Sequence, residues 1–108
     1  MDRERRRDAR VPVDILVNKF VDGTAYACRA RDISRGGLRL QRISEPARVR
    51  NHIALQFMLP GQPRVIVCGG QVVYQNEQVT GVRFTSVSER NRRLLDSFLD
   101  QRTVPPAA

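Results

Sequence analysis

Tryptophan is absent from this chain, histidine occurs once, at position 52, and Cys28 and Cys68 are the only thiols. Two thiols and one imidazole are too few for the usual tetrahedral site built on soft ligands, so no metal is expected. No apolar run comes near the ~18 residues that cross a bilayer. The N-terminus is charged from Asp2 onward and lacks the apolar stretch of a signal peptide. These absences predict a cytoplasmic chain that does not insert into membranes, with both cysteines reduced and used as small core residues. Catalysis has equally little to draw on: a lone histidine, no nucleophile beside a base and no glycine-rich phosphate loop. The chain is therefore not expected to be an enzyme. Aromatics make up only 6% of it, which argues against a groove that binds single-stranded nucleic acid by stacking bases.

What the chain has instead is positive charge. Its net charge is +8 and its isoelectric point about 11.1, which calls for a partner carrying phosphates or an acidic surface. Of its 19 lysines and arginines, Lys19 is the only lysine. A planar guanidinium donates two parallel hydrogen bonds to a phosphate or to the O6/N7 edge of guanine, which an ammonium cannot do. A G+C-rich genome also raises arginine over lysine, and that accounts for many of the scattered ones. The length of 108 residues allows one domain, and an apolar content of 41% suits a single modest core.

Along the chain, residues 1–10 form a charged arm with nothing to bury, expected to be flexible until a ligand or partner orders it. Val11, Val13, Ile15 and Val17 then alternate at period 2 in a first strand, with Pro12 tolerated at its beginning. Asp22-Gly23 signals a tight turn, and Thr24 to Ile33 returns with Tyr26, Cys28 and Ala30 on one side. Leu38 and Leu40 flank Arg39 in a short third strand, and Gln41 to Asn51, broken by Pro46, reads as a crossing loop. His52 to Leu59 alternates again, Pro60-Gly61-Gln62-Pro63 turns, and Arg64 to Gln75 follows with a bulge expected at Gly69-Gly70. Gln78 to Thr85 is the last strand. Ser86 and Glu89 match a capping box, and Leu94, Leu95, Phe98 and Leu99 form the stripe of a helix ending near Arg102. Residues 103–108 read as a disordered tail. The expected fold is all-β: a small six-stranded antiparallel barrel with a C-terminal helix, over residues 11–102.

The stretch Asp32-Ile33-Ser34-Arg35-Gly36-Gly37 lies between two alternating segments. It sets an acceptor-only carboxylate and a hydroxyl beside backbone without a Cβ. Taken alone, the pattern reads first as an Asx or Ser turn closing a hairpin. Arg6-x-x-x-Arg10, with Arg5 and Arg7 beside it, likewise reads first as a solvated charge run.

Together, in this order and just before a barrel pattern, Arg6-x-x-x-Arg10 and Asp32-x-Ser34-x-x-Gly37 resemble the PilZ domain, the bacterial receptor module for cyclic di-GMP. The likeness continues in Arg10-Val11-Pro12-Val13, in Gly70-Gln71-Val72-Val73-Tyr74, in Gly81-Val82-Arg83-Phe84 and in the helix, and so covers nearly the whole chain. The resemblance implies a six-stranded barrel with the nucleotide lying across its outer surface, clasped by the arm. It implies that Arg6 and Arg10 contact guanine edges and phosphates, that Asp32 accepts from guanine N1–H and N2–H₂, that Ser34 bonds the phosphate side, and that Gly37 permits close approach. Gly36, Arg35 and Arg83 become auxiliary contacts. Arg5 and Arg7 would supply charge for an intercalated cyclic di-GMP dimer. The crossing loop lacks the glycine often seen there in the family and carries Arg42, Arg48 and Arg50. The expected function is a single-domain cyclic di-GMP receptor or adaptor that signals to an unidentified effector protein. A basic barrel binding nucleic acid, and an interaction domain with a vestigial site, are the alternatives.

Overall fold

The computed structural model describes residues 9–43 and 52–103. Six strands, β1 (Val11–Val21), β2 (Thr24–Ile33), β3 (Gly37–Arg42), β4 (His52–Met58), β5 (Val65–Gln75) and β6 (Val79–Ser86), precede one helix, α1 (Glu89–Thr103). All pairings are antiparallel, and the order β1-β2-β3-β6-β5-β4 closes through β4 on β1, so no strand edge is left open. The turns follow from local chemistry. Asp22 and Gly23 both take positive φ, 51° and 83°, as a two-residue hairpin whose twist matches its strands requires.

Period-2 alternation sends Val17, Cys28, Leu38, Leu40, Ile53, Leu55, Phe57, Ile66 and Val82 inward, all buried. Phe57 and Phe84 stack with ring centroids 6.4 Å apart. Both cysteines are free and buried. Leu95, Phe98 and Leu99 of α1 are equally buried and join the same core.

Two features of the sequence reading are corrected. The helix cap is Ser88, not Ser86: the Ser88 hydroxyl accepts from the Asn91 N–H at 3.1 Å, while Ser86 still belongs to β6, where it pairs with Gly69. The strand's ladder outcompetes the earlier capping signal. The crossing loop also begins later than Gln41. Gln41 pairs with both Arg29 and Val79, and the Arg42 N–H donates to the Gln78 carbonyl at 2.9 Å, so β3 claims both residues. Arg48 and Arg50 lie outside the described residues.

Two register shifts flank Asp32. Pro12 faces Asp32 and Ile15 faces Ala30, so β1 carries an extra residue there. Ala30 faces Leu40 and Asp32 faces Arg39, so β2 carries one in turn. The inward series on β2 therefore runs Cys28, Ala30, Ile33, each at 0% exposure. Unbroken alternation would have sent Asp32 into the barrel after Ala30; the bulge moves it to the outer face and puts Ile33 in the core.

Candidate functional site

The β2–β3 turn is held by its own side chain. The Ser34 N–H donates to the Gly37 carbonyl at 2.8 Å, its hydroxyl donates to the same oxygen at 3.3 Å, and it accepts from the Gly36 N–H at 3.3 Å. Ser34 thus makes the Ser turn that its residue type favours. The Gly36 carbonyl accepts from the Phe84 N–H at 2.8 Å, which pins the turn to β6. Gly37 is required by that same neighbour: a Cβ there would lie 2.0 Å from the Val82 carbonyl oxygen.

Outward from this turn, β2, β3, β6 and β5 bring Asp32, Arg39, Gly81 and Tyr74 into one cross-strand row. The Asp32 carboxylate divides its oxygens. Oδ1 accepts from Arg10 Nη1 at 2.8 Å; Oδ2 accepts from Arg39 Nε at 2.6 Å and also pairs with Arg39 Nη2. Its side chain is only 8% exposed, against 47% for Arg10 and 45% for Arg39. A carboxylate so far out of water needs compensation, and two guanidiniums supply it. The hydrogen bond and charge of Asp32 raise the pKa of Arg39, with a smaller contribution from Tyr74. The Tyr74 ring lies over Gly81, where a Cβ would meet it at 2.1 Å.

Two shallow cavities open on either side. One, of about 320 Å³, is lined by Arg10, Ser34, Gly36, Gly37 and Arg83 with two valines. The other, of about 260 Å³, is lined by Arg31, Asp32, Arg39 and Gln41 with two apolar residues. Arg83 donates to the Gln71 side-chain oxygen. The arrangement offers a dry carboxylate acceptor between exposed guanidinium forks. That suits a ligand carrying both amide-type donors and anionic oxygens.

Of the residues singled out in the sequence, the fold brings together Arg10, Asp32, Ser34, Gly36, Gly37 and Arg83. Arg10, placed by the sequence in a free arm, is ion-paired to the buried carboxylate. Arg35 is not with them. Its guanidinium pairs with Asp96 at 2.8 Å and with Asp100 on α1, and its carbonyl accepts from Arg92 at 2.7 Å, so it ties the turn to the helix. Arg5, Arg6 and Arg7 lie outside the described residues. Sequence reading missed Arg39 and Tyr74. Arg39 follows Gly37 by two residues and could have been placed opposite Asp32 had the bulge been foreseen. Among the described residues no cluster of His, Cys, Asp and Glu could hold a metal ion, and no helix is long and apolar enough to cross a membrane.

The sequence matches the PilZ domain family over residues 4–101. No curated protein matches it significantly. Among solved structures, it superposes on the inhibitor of motility of Bacillus subtilis with a TM-score of 0.73 and 12% identity. That match covers 94% of this chain but 53% of the other, so this chain spans about half its length. The PilZ domain of YcgR from Escherichia coli, solved with c-di-GMP, gives a TM-score of 0.73 and 20% identity over 91% of each chain. The PilZ domain of CeSA from a cellulose-synthesizing bacterium gives 0.64 and 18% identity, covering 86% of this chain and 93% of that one. At such identities these structures share the fold.

Proposed function

This chain belongs to the PilZ domain family, and from that premise we propose that it is a receptor for cyclic di-GMP rather than an enzyme. The observation that carries the reading is the Asp32 carboxylate, buried and bracketed by Arg10 and Arg39, beside a cavity lined by Arg10, Ser34, Gly37 and Arg83. Guanine presents N1–H and N2–H₂ to a carboxylate and O6/N7 to an arginine fork. Asp32 takes the first edge and Arg10, with Arg6, takes the second and the phosphates. Ser34, Gly36 and Gly37 set the floor against which the ligand lies, and Arg83 is an auxiliary cation.

Arg10 Nη1 occupies one Asp32 oxygen, Oδ1, at 2.8 Å. Binding therefore exchanges partners: guanine donors replace Arg10 on the carboxylate, and the released guanidinium turns to the nucleotide. That exchange repositions the residues leading into β1 and alters the exposed surface, through which the domain signals to an effector protein.

Calorimetric titration of Arg10→Ala and Arg10→Lys tests this. Loss of one bidentate contact is worth roughly 1–3 kcal/mol, so both variants should bind about 5- to 150-fold more weakly. Lysine should rescue little, since it cannot form the fork. Arg29→Ala serves as control, because Arg29 pairs with Asp14 and lines neither cavity. Equal affinities for wild type and both Arg10 variants would overturn the assignment.

A further inference from the structure

Resting on the reading of this site as a cyclic di-GMP site, we infer that Arg39 is its specificity-determining positioning residue: it clamps Asp32 by Oδ2 so that the carboxylate stays ion-paired and aimed at the guanine edge after Arg10 has left.

The need for such a group follows from charge. Asp32 is nearly closed to water, and the guanine that replaces Arg10 on it is neutral. An exchange of Arg10 for guanine with nothing else in place would strand a desolvated carboxylate without a counter-ion, which is strongly unfavourable. One cation must therefore remain while the other moves. The two guanidiniums are built unequally for those tasks. Arg10 gives a single nitrogen to Oδ1 and precedes the first strand. Arg39 gives both Nε and Nη2 to Oδ2 from within β3, paired to Asp32 on one side and Gly81 on the other.

Tyr74 supports Arg39 from β5: it adds to the rise in the Arg39 pKa, and its ring lies over Gly81, the strand partner of Arg39, in a space that no Cβ could share. Among the described residues, the other cations around the two cavities are committed elsewhere: Arg31 to Gln41 at 2.6 Å and to Asp14 at 3.5 Å, and Arg83 to Gln71. A carboxylate has about four lone-pair positions, so Arg39 can keep its place on Oδ2 while N1–H and N2–H₂ take the remaining ones.

The test compares cyclic di-GMP with its hypoxanthine analogue, which lacks only the 2-amino group that Asp32 reads. The variants are Arg39→Gln, Arg39→Lys and Tyr74→Phe. Wild type should prefer cyclic di-GMP by about tenfold, the worth of one good hydrogen bond to a charged acceptor. In Arg39→Gln the preference should collapse towards unity, and cyclic di-GMP affinity should fall by about 10- to 100-fold. Arg39→Lys keeps the charge and should retain part of the preference. Tyr74→Phe keeps the ring on Gly81 and should lose some of it. A merely structural role gives a different result, because a smaller competent fraction weakens both ligands by the same factor and leaves their ratio alone. An unchanged ratio in Arg39→Gln, at any absolute affinity, would overturn the inference. Failure of the underlying reading shows separately, as wild-type protein that binds neither nucleotide.

Discussion

Replacing Gly37 by alanine should cost this protein its stability before it costs any ligand contact. Motif glycines at binding sites invite the explanation that the ligand needs the space. Here the space is already taken by the protein: the new methyl would sit 2.0 Å from the Val82 carbonyl oxygen, 3.0 Å from its carbonyl carbon and 3.1 Å from the Arg83 Cα. All three are backbone atoms, so no side-chain rotation relieves the overlap. β3 must part from β6 where Gly37 faces Arg83 and Leu38 faces Val82, and the Phe84 N–H to Gly36 carbonyl bond, 2.8 Å long, is strained with them. Losing about two such hydrogen bonds costs roughly 1–3 kcal/mol, and overpacking adds a comparable amount. A total of about 2–5 kcal/mol is a large share of the 5–15 kcal/mol typical of a domain, and lowers its melting temperature by roughly 10–30 °C. Thermal unfolding followed by circular dichroism, without ligand, reads this directly. A variant melting within two or three degrees of wild type would show that the β3–β6 contact yields easily and that the glycine serves the ligand alone.

Phe98→Ala and Leu95→Ala should each destabilise by about 2–5 kcal/mol, seen as a fall in urea midpoint, because both side chains are 2% exposed in the shared core; near-wild-type midpoints would mean that α1 adds nothing to the barrel. Arg35→Ala removes the pairs to Asp96 and Asp100, which are partly exposed, so stability should change by about 1 kcal/mol or less. Hydrogen exchange in α1 should quicken while cyclic di-GMP affinity holds, and a collapse of affinity would show that Arg35 leaves the helix for the ligand. Burial pushes the Cys68 thiol from 9.0 up to about 11, against a smaller opposing pull from Arg92. Between those values the folded protein keeps a proton that the unfolded chain has lost, so stability should fall as pH rises through that window; Cys68→Ala should flatten the slope, and an unaltered slope would place its cause elsewhere. Arg5→Ala combined with Arg7→Ala should lower the nucleotide stoichiometry from two to one, since a stacked pair brings four phosphate charges onto one surface; a wild-type stoichiometry of one would exclude the pair.

The barrel was legible because most of its strands obey one rule. Alternation in β2 as far as Ala30, in β3 from Leu38 and throughout β4, with the Asp22-Gly23 turn, carries period and punctuation in the residues themselves. The site was legible only as far as its motif residues. Asp32 shares the phase of Cys28 and Ala30, so simple alternation assigns it to the core. Only the bulge between Ala30 and Asp32, a property of two strands pairing, brings it out beside Arg39. Arg35 illustrates the converse. It sits inside the motif, yet the acidic residues that capture it, Asp96 and Asp100, come from a helix some sixty residues later. The capping signal at Ser86 failed for a similar reason, because β6 extends through it. Each miss turns on how one strand or helix pairs with another, which the pattern within a single segment does not encode.

Calorimetric titration of the wild-type chain decides whether this surface binds cyclic di-GMP through Asp32 and its arginines. The nucleotide should be run beside cyclic di-AMP and a single-stranded oligonucleotide, at low and at high salt. Binding of cyclic di-GMP should be saturable, persist at high salt and discriminate against adenine, whose Watson–Crick edge offers Asp32 no matching pair of donors. Absence of binding, or a preference for the oligonucleotide that fades steeply with salt as phosphate contacts do, would contradict it.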